Sequence, residues 1–133
     1  PLFPAIGDEV CLALLEAASQ LEPNAAEKLL FAFYRQQTET LMKAVAADSV
    51  QERAENLAKE RTRLGYLSFC RFDEEGAIWI EELHHPLQRL ATAYPTLERM
   101  EVQMFEKLLG ARVERSYRKV SGLTLYRFDL SPP

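Results

Sequence analysis

No glycine interrupts the chain between Gly7 and Gly65. Glycine inside a helix costs about 1 kcal/mol relative to alanine and is the residue that most readily ends one. So long a stretch without it predicts long, unbroken helices in the first half of the chain. After Gly65, short aromatic and β-branched runs alternate with turn residues, and strands mixed with short helices are expected. The chain has 133 residues, of which 47% are hydrophobic and 27% charged. That is enough to build one domain with its own core. No apolar run approaches the roughly 20 residues that a membrane helix needs.

The first helix is expected from Asp8 to Leu21, with Asp8 as its cap and Val10, Leu14, Ala17, Ala18 and Leu21 as its apolar face. Pro23 ends it. The second runs from Asn24, a suitable cap, to about Ala47, with Leu30, Phe33, Leu41, Ala44 and Val45 on its buried side. The third spans Ser49 to Leu64. It is mostly polar, with Val50, Ala54, Leu57, Ala58 and Leu64 as a thin apolar stripe, the pattern of a helix that is exposed or faces a partner. Gly65 suits its C-terminal cap.

Tyr66 to Phe72 and Ala77 to Leu83 read as a hairpin across Asp73-Glu74-Glu75-Gly76. Pro86 fits the first position of a short helix ending near Tyr94. Pro95 opens another, with Leu97, Met100, Met104, Phe105, Leu108 and Leu109 apolar and Gly110 as its stop. Arg112 to Val120 and Leu123 to Leu130 form a last hairpin across Ser121-Gly122. The fold class is α+β: three N-terminal helices, then a four-stranded antiparallel sheet made of two hairpins with two helices between them. A single domain is expected, helical over 1–65 and sheet plus helix over 66–133.

The formal net charge is −4. This argues against nucleic-acid binding by the chain itself, because such surfaces are basic. Cys11 and Cys70 could form one disulfide, but both sit in apolar settings and are expected as buried, reduced thiols, which suits a cytoplasmic location. No export signal is evident. The chain begins at Pro1 rather than Met, as expected of a piece of a longer protein.

No phosphate loop, zinc-protease pair or Cys-x-x-Cys occurs, and no enzyme is expected. His84 and His85, at a strand-to-helix junction, are the only histidines. Imidazole binds metals and titrates near neutrality. Neighbours at a strand end point to opposite sides, so the two do not share one ion. Two accounts stay open: one or both hold a ligand or metal, or His85 caps the helix at Pro86 while His84 packs under the sheet. Glu81, Glu82, Glu98 and Glu101 lie near enough in sequence to add oxygen ligands. Arg112, Arg115, Arg118 and Lys119 crowd one strand, as a solvated strand or a secondary contact. Trp79, Tyr66, Phe69 and Met104 could wall a small-molecule pocket between sheet and helices, or belong to the core.

The run Glu82-Leu83-His84-His85-Pro86-Leu87, then Tyr94-Pro95, Glu101, Phe105, Leu108-Leu109-Gly110, Val113-Glu114-Arg115, Ser121-Gly122 and Tyr126-Arg127, resembles the C-terminal effector domain of bacterial winged-helix regulators of DeoR- or ArsR-like type. These include the cyanobacterial repressor of iron–sulfur cluster assembly genes. The likeness begins at Leu2-Phe3-Pro4 and passes through Arg63-Leu64-Gly65-Tyr66. Cluster-binding members carry His-Asn-Cys-Pro before the short helix, a second Cys after Tyr-Pro and a third before a Tyr in the last strand. Those three cysteine places hold His85, Glu98 and Thr124 here, and Leu83-His84 replaces His-Asn. Thiolates hold such clusters, so the substitutions argue against one, and His85 with Glu98 becomes a candidate pair for a divalent metal.

The resemblance implies a homodimer, with a DNA-binding winged helix upstream of Pro1. The expected function is a sensory and dimerisation domain that couples a small-molecule, metal or redox signal to DNA binding by that missing part. The expected effector site comprises His84, His85, Trp79, Tyr66 and Met104, with His85 and Glu98 as metal ligands. No membrane partner is expected. The alternative is a standalone small-molecule-binding module. Acid–base catalysis by His85 with Glu98 or Glu101 would need an open cleft.

Overall fold

The computed structural model describes the backbone of residues 2–132 and the side chains of residues 7–132. Five helices and four strands follow in the order α1 (Leu2–Leu21), α2 (Ala25–Val45), α3 (Val50–Arg63), β1 (Ser68–Phe72), β2 (Ile78–Glu82), α4 (Gln88–Ala93), α5 (Thr96–Leu109), β3 (Arg112–Val120) and β4 (Leu123–Ser131). The expected α+β class is what forms. All strand pairs are antiparallel and the sheet order is β1-β2-β4-β3. The two hairpins therefore meet through β2 and β4. Helices α3 and α5 pack on the sheet, α2 packs across both, and α1 lies on α2 and α4. No helix among the described residues is long and apolar enough to cross a membrane.

The pairing register sorts the sheet residues into two faces, because successive side chains alternate. Towards the helices run the rows Phe72–Ile78–Leu130–Val113, Cys70–Ile80–Phe128–Arg115 and Ser68–Glu82–Tyr126–Tyr117. The opposite face carries Phe69–Glu81–Arg127–Ser116 and Arg71–Trp79–Asp129–Glu114. Ile80, Leu57, Leu97, Phe105, Leu109 and Phe128 are fully buried. The Phe105 and Phe128 rings lie 4.3 Å apart at their centroids and join α5 to β4.

Local chemistry explains most boundaries. Ser49 caps α3 by accepting the Glu52 N–H at 3.1 Å. At the other end, the N–H of Gly65 bonds to Thr62 O and that of Tyr66 to Arg61 O, both at 3.0 Å. This paired arrangement is a Schellman cap, and it needs the left-handed φ of +103° that Gly65 supplies. Ser121 and Gly122 both take positive φ, as a two-residue hairpin turn compatible with sheet twist requires.

Several expectations are corrected. Helix α1 starts at Leu2, six residues before the expected Asp8, so Asp8 lies inside it and caps nothing. Pro4 falls in the first turn, where a missing N–H costs nothing. The buried edge of α1 is Leu15, flanked by Leu12 and Ala18, whereas Val10, Leu14 and Leu21 are exposed. Asn24 precedes α2 in a left-handed conformation and makes no side-chain cap. Phe33 and Ala44 on α2 face outward, and Tyr34 and Thr38 take the buried positions. Helix α3 does not offer its stripe to a partner: Ala54, Leu57 and Ala58 are buried within the chain's own core. Pro86 lies in a turn before α4 and not at its first position. Cys11 is exposed and Cys70 half-buried, and both are free thiols.

The contrast between Phe105 and Phe33 is testable. Phe105→Ala is expected to cost about 3–5 kcal/mol of unfolding free energy. Phe33→Ala, on the exposed side of α2, is expected to cost under ~1 kcal/mol in the single chain. Urea denaturation of the two variants measures both.

Candidate functional site

The His84-His85 junction divides sharply. His84 is exposed, and His85 is 5% exposed beneath the sheet. This reverses the account in which His84 is the packed one. The His85 ring lies edge-on between Tyr66 and Tyr126, with centroids at 5.3 and 5.7 Å. Its Nδ1 accepts the Leu87 N–H at 3.2 Å, so it does cap the turn leading to α4. A nitrogen that accepts carries no proton, which leaves Nε2 as the donor. Nε2 points at Glu101, 3.1 Å from Oε2 and 3.3 Å from Oε1.

Glu101 belongs to a charged cluster sealed inside the fold. The Arg61 guanidinium donates from Nε and Nη2 to the two oxygens of Glu82, at 2.9 and 2.8 Å, and from Nη2 to Glu101 Oε2 at 2.9 Å. Arg61 is 2% exposed, and Glu82 and Glu101 are fully buried. The fork geometry of arginine matches a carboxylate in two parallel bonds, which lysine could not reproduce. The Schellman cap adds a further partner. It folds Tyr66 back over the last turn of α3, and the ring sits 3.5 Å from the guanidinium carbon of Arg61. Phe105 covers that carbon from 4.8 Å.

The electrostatics follow from this packing. Burial disfavours the charged form of Arg61, but Glu101 and Glu82 outweigh it and hold the guanidinium protonated more firmly than usual. Burial pushes the Glu101 carboxyl up, and Arg61 with His85 more than offsets that, holding it at about 2. Burial also raises the Tyr66 phenol to about 12, against the opposing pull of Arg61. The Tyr34 phenol is raised as well, first by burial and then by the Glu101 charge.

From sequence, Glu82 reads as a candidate oxygen ligand, Glu101 as that or as an acid–base partner of His85, and Arg61 as one charge of a mostly polar helix. The signal was present. Arg61 follows Ala54, Leu57 and Ala58 at i+7, i+4 and i+3, on the apolar stripe of α3. Glu101 lies in phase with Leu97, Met104, Phe105 and Leu108, and Glu82 alternates in step with Ile78 and Ile80. A charge in phase with the core must be paired within it.

The expected effector residues do not converge. Met104 is buried against α2, and Tyr66 belongs to the Arg61 cluster. Trp79 and Phe69 lie on the opposite sheet face, where Arg127 covers Trp79 at 4.2 Å and Arg71 lies 5.2 Å from Phe69. The Trp79 Nε1–H donates to Glu81 at 3.3 Å. His85 and Glu98 are not joined as a metal pair. Both ring nitrogens of His85 are engaged, and Glu98 accepts from Arg115 Nη1 at 3.1 Å. Among the described residues no group of three or more His, Cys, Asp and Glu side chains is placed to hold a metal ion. A thiolate-held cluster does not fit either, since Cys11 is on α1 and Cys70 on β1, away from all three positions.

Glu98 and Thr124 do share a cleft. With Gln88, Arg115, Tyr117 and Lys119 they line a space of about 320 Å³ between the β3–β4 hairpin and the starts of α4 and α5. Tyr126 forms its inner wall, donating its hydroxyl to Gln88 Oε1, with His85 packed against its ring. One register row, Ser68–Glu82–Tyr126–Tyr117, thus runs from the sealed cluster to the open cleft.

The cluster makes two predictions. Arg61→Met strands two carboxylates and is expected to cost about 3–5 kcal/mol, whereas adding Glu82→Met and Glu101→Met to it is expected to recover much of that loss. Urea midpoints distinguish the single from the triple variant. Glu101 also sets an acid limit. Its folded value of about 2 lies below its ordinary 4.5, so its stabilisation is complete above 4.5 and is lost as pH falls towards 2. The urea midpoint should fall through that window, and Glu101→Gln should flatten the fall.

No known family model matches this chain, and neither does any curated protein.

Proposed function

We propose that this chain is the sensory and dimerisation domain of a cytoplasmic transcriptional regulator, related to the winged-helix repressors it resembles in sequence. Its effector site is the cleft bounded by Glu98, Thr124 and Tyr126, and its DNA reader is a winged helix elsewhere in the protein. The observation that carries this reading is convergence. The three positions matched to metal-ligand cysteines, His85, Glu98 and Thr124, come from a turn, a helix and a strand. Glu98 and Thr124 line one cleft, and His85 stands behind its Tyr126 wall at 5.7 Å between ring centroids. A site emptied of thiolates but retained as a cleft is what a changed effector would leave.

The dimer face of this proposal is helical. Val10, Leu14 and Leu21 on α1 and Leu29 and Phe33 on α2 are exposed large hydrophobics. Cys11, Leu14, Leu29 and Phe33 contribute to a nearly wholly apolar groove of about 270 Å³ against Leu87 and Leu90. Contiguous apolar surface of this kind marks association sites in soluble proteins. A second copy placed there would bring two α1 helices together, and a change at the cleft would act by altering the dimer arrangement.

Sedimentation of the chain should show a dimer, and Leu14→Glu with Phe33→Glu should raise its dissociation constant at least ~100-fold, the effect of burying two charges at an interface. The natural gene product should retard its own promoter fragment on a gel. A monomeric chain together with a gene product that leaves that fragment unshifted would overturn the proposal.

A further inference from the structure

The cleft beside Tyr126 is built from donors. Arg115 projects into it from β3 with a side chain only 10% exposed. The guanidinium offers five N–H donors. Among the described residues its one hydrogen-bond acceptor is Glu98, and its Nε is buried without a partner. Two contacts hold it in place: the Glu98 ion pair at 3.1 Å and the Tyr126 ring at 4.7 Å. Lys119 stands two pleats further along the same strand face, opposite Thr124 in the register. It has no acidic partner among the described residues. Tyr117 lies between them on the same face and is largely exposed.

Two cations therefore face one carboxylate in the cleft of a chain whose net charge is −4. A fixed, nearly dry guanidinium short of acceptors carries a desolvation cost that a charged oxygen ligand would relieve. Carboxylate and phosphate oxygens match the arginine fork. Lys119, Thr124 and the Tyr117 hydroxyl supply further donors at the rim. About 320 Å³ lies at the small end of ligand pockets, which run roughly from 300 to 1,000 Å³. That volume suits a few-carbon acid or sugar-sized phosphate ester and excludes a nucleotide with its base.

We propose that this cleft binds a small organic anion through one carboxylate or phosphate group held between Arg115 and Lys119. The proposal rests on the cleft being the effector site of the sensory domain described above, and names the class of that effector. Glu98 is the built-in competitor. It occupies Arg115 from the first turn of α5, the helix that carries Glu101 into the sealed cluster. An incoming anion takes over Arg115 donors and loosens Glu98, and the start of α5 is the element that responds.

The test is a heteronuclear NMR titration of the labelled chain at constant ionic strength. The probes are inorganic phosphate, glycerol 3-phosphate and succinate, with glycerol and sodium chloride as controls. Saturable shifts at the Arg115 Nε–H and the Lys119 and Thr124 amides are expected for at least one anion, with a dissociation constant of roughly 1 mM or tighter. Tighter saturation by the phosphates or by succinate identifies the group recognised. Arg115→Gln should weaken binding at least ~10-fold and Lys119→Gln several-fold, whereas Glu98→Gln should tighten it. Should Arg115→Gln fail to fold, the opposite effects of the two rim variants carry the test. Linear, non-saturating shifts shared with chloride would overturn the proposal, as would unchanged affinity in the arginine or rim variants. Oligomeric state and promoter binding are separate readouts. A dimer that shifts its promoter but binds no probe sinks the anion site alone, and an anion-binding monomer that shifts nothing sinks the regulator alone.

Discussion

One buried guanidinium organises this fold. Arg61 reaches from the end of α3 to Glu82 on β2 and Glu101 on α5, so three elements distant in sequence must arrive together before any of the three charges is satisfied. A sealed ion cluster is weak evidence for net stability, because the cost of drying the charges can match what their pairing returns. Its stronger effect here is geometric. Helix α3 cannot slide, and α5 cannot rotate, without stranding a charge in the core. His85 extends the constraint to the turn before α4, and the Schellman cap at Gly65 supplies Tyr66 as a lid on the guanidinium. The Thr62 hydroxyl completes the corner by bonding both the N–H and the C=O of Ser68 at 2.9 Å, which ties the start of β1 to α3.

The division between sealed cluster and open cleft accounts for the placement of His85. A histidine able to sense solvent would need access, and His85 has almost none. It links Glu101, which its Nε2 meets at 3.1 Å, to the Tyr126 ring, which it meets edge-on at 5.7 Å. Tyr126 is the shared wall, facing the cluster through His85 and the cleft through Arg115 and Gln88. Anything that moves the Tyr126 ring is felt on both sides. Strand residues seen from sequence as an ordinary solvated face thus split by parity: Arg115 is folded in, and Arg112 and Arg118 are left in water.

Much of the fold was legible because its signals are local. The glycine-free stretch, Ser49, Gly65, the Asp73-Glu74-Glu75-Gly76 turn, Gly110 and Ser121-Gly122 each mark a boundary through their own backbone preferences, and the structure uses them in that way. The faces of α1 and α2 were not legible. Both helices carry apolar residues on more than one side, so periodicity alone could not tell Leu15 from Leu14 or Tyr34 from Phe33. The site was hidden for a different reason. Trp79 and Tyr66 are chemically attractive, but strand parity puts Trp79 on the far side of the sheet. Arg61 and Glu101 are in phase with the core, but the polar look of α3 masks Arg61, and Glu101 reads from sequence as an oxygen ligand or an acid–base group.

The order β1-β2-β4-β3 leaves two strands with unpaired backbone edges. Free edges template further pairing between copies, the first step of fibrous aggregation. Here each is guarded. The five-residue β1 is short and flanked by α3, and the nine-residue β3 carries Arg112, Glu114, Arg118 and Lys119 along its length. Sheet-to-sheet growth between molecules is thereby discouraged on both flanks. In the proposed dimer, association uses the helical side, where an assembly of two can close without propagating.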